Sequence, residues 1–355
     1  MSSSTREAGT AIAVDTAGNS YVTGEFTGET DFDPDVGEFL INSNGITDIF
    51  VASYATNGSF RFAIGMGGTL RDRGLGIAID GAGNSYVTGA FGDSTDFDPG
   101  VGNQILVSNG LEDIFLASYT DSGDFRYAVA VGGAFTDIGN AVAMDTAGNA
   151  FITGSFKDTV DFDPGPGSTS LVSGGNEDIF LASYSDLGAL RFAFGLGNTN
   201  PAFGFGAGVD AMGNVHITGN CRSDVDFDPG PGQAVITNTT NYAFVASYTN
   251  AGSYRDAYAF KGNPSSAAVG YAIATNASGR AHVTGTFTGT VDFDPGPGEA
   301  LLTANGSNDG FFSSFAPAPA VPALGPVGIS VVGTLLGLLG WRGARRLAER
   351  PVAPR

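Results

Sequence analysis

The chain has 355 residues, 42% hydrophobic and 15% charged, with 55 glycines; that apolar share is too large for a disordered chain, and a glycine content near twice the usual ~7% suits many short strands joined by tight turns. Acidic residues outnumber basic ones 36 to 16, and five arginines crowd the last 14 residues beside Glu349, which leaves residues 1–341 with 35 acids against 11 bases, a net −24. Such a surface argues against nucleic acid as a partner, because phosphate neutralisation needs clustered Lys and Arg, and the single cysteine, Cys221, excludes an intrachain disulfide.

The chain repeats itself. DFDPGPG stands at residues 161–167, 226–232 and 292–298, with looser forms DFDPDVG at 31–37 and DFDPGVG at 96–102. The first aspartates are 31, 96, 161, 226 and 292, a period of 65 with one step of 66, so length counts tandem units here and not independent domains. The N-terminal MSSSTREAGTAIAVD lacks the basic start and apolar run of a secretory signal. Its REAGTAIAVDTAGN instead lines up with RDRGLGIAIDGAGN from Arg71, so the expectation is a chain that starts in mid-repeat, with any export signal upstream.

Each unit opens with an alternating apolar segment that runs into a turn: AIAVDTAGN from Ala11, GIAIDGAGN from Gly76, AVAMDTAGN from Ala141, AGVDAMGN from Ala207 and AIATNASGR from Ala272. Period-two apolarity ending in Gly-Asn predicts a strand and a hairpin turn, with Gly taking the positive φ. A second strand follows (SYVTGEF from Ser20 and its equivalents), then the long connection carrying DFDPGPG and a weakly apolar run such as residues 38–41. The third strand is DIFVASY from Asp48, and after a short turn the fourth is SFRFAIG from Ser59; the fifth unit has no fourth strand. Four antiparallel strands per unit predict an all-β fold, a β-propeller of about five four-stranded blades over residues 1–315, with a stacked β-solenoid as competitor. The paired segments AxxDxxGNxYVTGxF and DxFVxxYxxxG resemble the bacterial SBBP β-propeller repeat over roughly residues 10–315. That resemblance implies a propeller of secreted or cell-surface proteins, mostly without an assigned reaction. Connections of a meander alternate between the two ends of a sheet, so both tight turns of each unit are expected at one end, and the DFDPGPG stretches, with the Gly-Gly links, together at the other.

The motif has two chemical readings. Asp-Pro-Gly is a turn in its own right, with Pro presetting φ and the Asp side chain accepting turn amides. Alternatively, the paired carboxylates Asp31 and Asp33, Asp96 and Asp98, Asp161 and Asp163, Asp226 and Asp228, and Asp292 and Asp294 supply hard oxygen ligands for Ca²⁺, the one cofactor the sequence suggests; ten carboxylates on one rim also call for cations or hydrogen bonds to offset repulsion. Glycosidase-type use of a pair such as Asp31 and Asp33 is the enzymatic alternative, but fivefold repetition gives each pair the same surroundings, whereas acid and base need different ones. His216 and His282 stand in the column of Tyr21, Tyr86 and Phe151, and Cys221 in that of Phe26, Phe91, Phe156 and Phe287; all three read as packing residues. Arg61, Arg126, Arg191 and Arg255 share a column and read as anchors that pair with a carboxylate or with carbonyls between blades, Asp48, Asp113 and Asp178 being the obvious partners.

Beyond residue 315 the composition changes. Residues 316–323 form a Pro/Ala spacer, residues 324–341 carry no charge and are just long enough to span a bilayer, and residues 342–355 form a basic tail that the positive-inside rule leaves in the cytoplasm. A short Pro-containing motif, an apolar helix and an Arg cluster resemble bacterial sorting tails of the PEP-CTERM and IPTL-CTERM kind, which implies a Gram-negative exported or surface protein, an inner-membrane intermediate and a processing protease. The function expected is a non-enzymatic, extracytoplasmic propeller for scaffolding, adhesion or binding of a surface ligand or polysaccharide; a carbohydrate- or polymer-active hydrolase or lyase using the acidic rim is the alternative.

Overall fold

A computed structural model of the chain describes residues 6–276, 278–294, 296 and 298–315. All the regular structure in them is strand, and no helix among them is long and apolar enough to cross a membrane; the proposed linker, membrane segment and basic tail lie outside the described residues.

The first blade contains β1 (Arg6–Val14), β2 (Ser20–Thr27), β3 (Glu29–Asp31), β4 (Leu40–Asn42), β5 (Asp48–Tyr54) and β6 (Phe60–Met66). Four of these form one antiparallel sheet in the order β1-β2-β5-β6, while β3 and β4 pair only with each other. The pattern recurs from β7 (Arg73–Ile79) to β12 (Phe125–Val131), from β13 (Ile138–Met144) to β18 (Leu190–Leu196) and from β19 (Ala202–Val209) to β24 (Tyr254–Gly262). The fifth blade has three sheet strands among the described residues, β25 (Ala267–Thr275), β26 (Ala281–Thr288) and β29 (Asp309–Phe315), and its small hairpin joins the edge of the fourth blade, Lys261 pairing with Asp292. Repeated four-stranded sheets on a 65-residue period make a propeller-like all-β array, as the sequence predicts.

Local chemistry sets the turns. Asp15 Oδ1 accepts the amides of Ala17 and Asn19 at 2.9 and 2.8 Å, and Gly18 takes a φ of 85°, a left-handed conformation that a Cβ disfavours. Asp80, Asp145 and Asp210 build the same turn. The first strands of successive blades pack on one another in the order β1, β7, β13, β19, β25, and the core lies between sheets: Val51 of the first blade shares a cluster with Ile77 and Val87 of the second. Backbone bridges Thr47 to Arg71 and Glu112 to Thr136 tie the first three blades at the end away from the tight turns.

Candidate functional site

The ten aspartates of the repeated motif flank the tips of the five small hairpins, where Asp31 opposes Leu40 and Asp161 opposes Ser170. What makes the hairpin is the phenylalanine between them. Phe32, Phe97, Phe162, Phe227 and Phe293 are at most 7% exposed. The Phe32 ring lies 5.5 Å from that of Phe26 and 5.0 Å from that of Phe50, and Phe97 and Phe162 repeat both contacts. A second anchor is the tyrosine that ends DIFVASY: Tyr54, Tyr119, Tyr184 and Tyr248 donate their hydroxyls to the carbonyls of Phe32, Phe97, Phe162 and Phe227 at 2.8–3.0 Å.

These anchors overturn the expected position of the motif. Tyr54 ends β5 beside the turn into β6, so the tip lies at the tight-turn end of the blade and not at the end of the interblade links. The connection does leave β2 at the link end, but it doubles back as a hairpin because Phe32 must cover Phe26 and Phe50. In the second blade the tip residues Asp98 to Gly102 border a pocket of ≈ 250 Å³ with Tyr119, Gly123 and Phe125. In the fourth, Asp228 and Pro231 border a groove of ≈ 510 Å³ with Phe192 and Phe194 of the third blade and Tyr254.

The carboxylates hold the tip together. Asp31 Oδ1 accepts the amides of Asp33 and Phe39 at 3.0 and 2.9 Å, and Asp96, Asp161, Asp226 and Asp292 accept the corresponding pairs. The amides of Thr169 and Asp163 hold the Asp161 carboxyl below its usual range. The second aspartate accepts the amide two residues on, as Asp163 does from Gly165 at 2.8 Å, with the same bond at Asp33, Asp98, Asp228 and Asp294. Its other oxygen lies against the last glycine of the motif, where a Cβ on Gly167 would stand 2.2 Å from Asp163 Oδ2. Among the described residues no group of three or more His, Cys, Asp or Glu side chains is placed to hold a metal ion, so a cation at a tip would draw its remaining ligands from loop carbonyls and water.

The other candidates pack against neighbouring side chains. His216 is buried, and its Nε2 lies 3.4 Å from Asp210 Oδ2, taking the place of the Tyr21 and Tyr86 hydroxyls, which meet Asp15 and Asp80 in the same way. Burial holds the imidazole below its ordinary pKa against the pull of Asp210, and the space beside His216 and Asp256 is ≈ 10 Å³, room for no more than a water. His282 stacks on Phe312 with centroids 5.7 Å apart. Cys221 is fully buried, and burial raises its thiol pKa far from the reactive range.

Arg61 donates to the Tyr21 hydroxyl and Ser53 Oγ at 2.8 Å within its blade and to the Asp121 carbonyl at 2.9 Å in the next; Arg126 and Arg191 also reach the next blade, at Asp186 and Asn250. Arg61, Arg126 and Arg191 are thus interblade anchors, whereas Arg255 Nη1 lies 4.0 Å from Asp210 Oδ2 within its own blade, and the partner suggested by the sequence is not the right one. Asp48, Asp113 and Asp178 begin their strands at the far end, accepting the amides of Asn44, Asn109 and Gly174 at 2.7–2.8 Å.

Sequence reasoning missed Asp72 and Asp137, both 0% exposed. Asp72 Oδ2 accepts the Gly68 amide at 2.7 Å and Oδ1 that of Gly92 at 2.9 Å, which ties the interblade link to the second blade. Burial pushes Asp72, Asp113 and Asp137 up to about 6, with the neighbouring Asp48 raising Asp72 and Asp113 raising Asp137 further. A repeat alignment could have flagged them only as a column, Glu7, Asp72 and Asp137 against Ala202 and Ala268, with nothing local to mark burial.

No family model matches the chain. It is similar to an uncharacterized WD repeat-containing protein, L264, of Acanthamoeba polyphaga mimivirus, 26% identical over 185 residues, 48% of this chain. The chain spans only 13% of that relative's length. WD repeats are propeller blades of four strands, in keeping with the sheets described above; the only tryptophan here, Trp341, lies outside the repeats, so the two repeat types differ in signature.

Proposed function

We propose that the chain is a non-enzymatic, exported or surface-anchored β-propeller of the SBBP kind, delivered by its C-terminal tail, that binds a repetitive surface ligand at the end of the array where the hairpin tips lie. The observation that carries this reading is the recurrence of one tip five times, with the same carboxylate bonds and with aromatic-walled grooves of ≈ 250 and ≈ 510 Å³ beside two of them. Equivalent sites on a fixed spacing suit a polymer with a repeating unit, because weak contacts at each tip combine through effective concentration. With 35 acidic residues against 11 over residues 1–341, an anionic polysaccharide would need a bridging cation, and Ca²⁺ is the ion the oxygen-rich tips suit. A hydrolase or lyase would require two carboxylates in unlike surroundings, and the five pairs share one arrangement.

Calcium at millimolar concentration is expected to raise the melting temperature over that in EDTA and to retain the protein on immobilised alginate. Replacing Asp33, Asp98, Asp163, Asp228 and Asp294 together by Asn should abolish both effects. Equal melting temperature and equal retention with calcium and with EDTA would rule out the cation-bridged reading.

A further inference from the structure

The fourth blade departs from the others where the interblade link meets the neck of its small hairpin. In the first three blades a serine closes that neck: Ser43, Ser108 and Ser173 accept the amides of Gly28, Asp93 and Asp158 on Oγ at 2.7–2.9 Å. In the second and third blades a buried aspartate also ties the link to the strand end beside it, Asp72 through the amides of Gly68 and Gly92 and Asp137 through those of Gly133 and Lys157. The fourth blade keeps neither tie. Asn238 stands in the serine column, as the register of β21 (Val225–Asp226) with β22 (Val235–Ile236) fixes, and Ala202 stands in that of Asp72 and Asp137. The fifth blade lacks both residues too, but there Lys261 and Gly262 pair with Asp292 and Val291, and Ser266 Oγ accepts the Thr290 amide at 3.0 Å, which closes the same space.

In the fourth blade a cleft of ≈ 440 Å³ stands open between link and neck, within the ~300–1,000 Å³ of small-molecule sites. Asn198 and Asn200 line it from the link, Arg222 to Asp224 from the chain entering the hairpin, and Asn238 and Thr239 from the chain leaving it. All of these side chains are polar or charged, so an apolar ligand gains nothing there. Two of their atoms, Ser223 Oγ and Asn238 Nδ2, are shielded from solvent and have no hydrogen-bond partner among the described residues, an arrangement that is costly until a further group meets them.

The balance of donors and acceptors selects the ligand class. Arg222 can only donate and Asp224 can only accept, and Asp224 commits Oδ1 to the Asn238 backbone amide at 2.9 Å while its second oxygen remains. The Asn238 side-chain nitrogen donates, and the Ser223 hydroxyl does both. One positive and one negative group leave the lining neutral, so a bare anion meets Asp224 and a bare cation meets Arg222. A ligand carrying several hydroxyls, each donor and acceptor at once, satisfies the whole set. We propose that this cleft binds one neutral sugar residue through hydroxyl contacts to Arg222, Asp224, Ser223 and Asn238. It lies at the link end of the blade, away from the acidic tips, and does not rest on the calcium reading of those tips.

Amide NMR of the full chain in a sugar-free detergent, titrated with the methyl glycosides of glucose, galactose, mannose and N-acetylglucosamine, tests this. At least one glycoside is expected to shift the signals of residues 198–200, 222–224 and 238–239, with a Kd of about 1 mM or below. Arg222→Ala and Asp224→Asn should each weaken binding at least about tenfold. Asn238→Ser, which gives the fourth neck the closing bond of the first three, should weaken it as well, with spectra elsewhere unchanged as the check that the variants are folded. Calcium-dependent retention on alginate, the readout of the tips, is expected to be the same in all three variants, so the two sites fail separately. No shift with any of the four glycosides, shifts that Arg222→Ala leaves in place, or the same shifts with inorganic phosphate or galacturonate would each overturn the proposal, the last by making the cleft an anion site.

Discussion

Gly167 and Tyr184 show how single atoms hold the acidic tip in place. A Cβ at Gly167 would overlap Asp163 Oδ2 at 2.2 Å, so Gly167→Ala should destabilise the protein by about 1–2 kcal/mol, and adding Asp163→Ala should recover part of the loss. A double-mutant cycle in urea measures the coupling, and additive effects would show that the two groups do not meet. Tyr184→Phe removes the donor to the Phe162 carbonyl and should cost about 1–2 kcal/mol, with faster amide exchange confined to residues 159–172 as the local signature. Unchanged exchange there would mean that the hydroxyl is not what seats the tip. The turn chemistry of DFDPGPG was legible from Asp, Pro and Gly alone, because Asx hydrogen bonds span two residues. The roles of Phe162 and Tyr184 were not, since their contact bridges 22 residues and neither one, read in its own segment, signals the other.

At the scale of the element, a blade is four strands that the DxxGN turns and period-two apolarity specify locally, strand by strand. The small hairpin is not specified in this way. A meander rule sends each connection straight across the end of a sheet, but β3 and β4 fold back because an aromatic residue between two aspartates finds its burial on the side of the blade. Between blades, Arg126 joins the Tyr86 hydroxyl and Ser118 Oγ at 2.9 and 2.7 Å to a carbonyl of the next blade, with its guanidinium 5.4 Å from the Tyr86 ring centroid. Arg126→Ala is therefore expected to cost about 2–3 kcal/mol and to broaden the unfolding transition as blades two and three lose coupling. A uniform shift with no change in cooperativity would make the arginine a within-blade brace only.

Across the whole molecule the interblade junctions carry a pH dependence. Asp72, Asp113 and Asp137 titrate near 6 in the folded chain and near ~3.9 when unfolded. The folded state thus binds more protons in that window, and stability falls as pH rises through about 6 and is greatest, for these groups, below ~4. His216 opposes them, because its folded pKa lies below 6.5 and its contribution is lost on acidification, but one histidine stands against three aspartates. The melting temperature should rise from pH 7.5 to pH 5, and Asp113→Asn with Asp137→Asn should flatten the slope; a melting temperature that falls on acidification in the wild type would contradict the buried-carboxyl account.

The sequence by itself determined the repeat, its period, the strands and the turns, because these depend on side chains two to five residues apart: Asp15 with Asn19, or alternate apolar residues along one strand. Only the tertiary structure decided which end of the blade carries the acidic tips, which carbonyl each arginine meets and which aspartates are buried. The physical reason is that these outcomes depend on surfaces brought together from positions some 20 to 65 residues apart, where burial of an aromatic ring or desolvation of a carboxylate overrides what the nearby residues prefer. Thus DFDPGPG is a turn on the sequence scale, but its phenylalanine makes it a structural part of the blade.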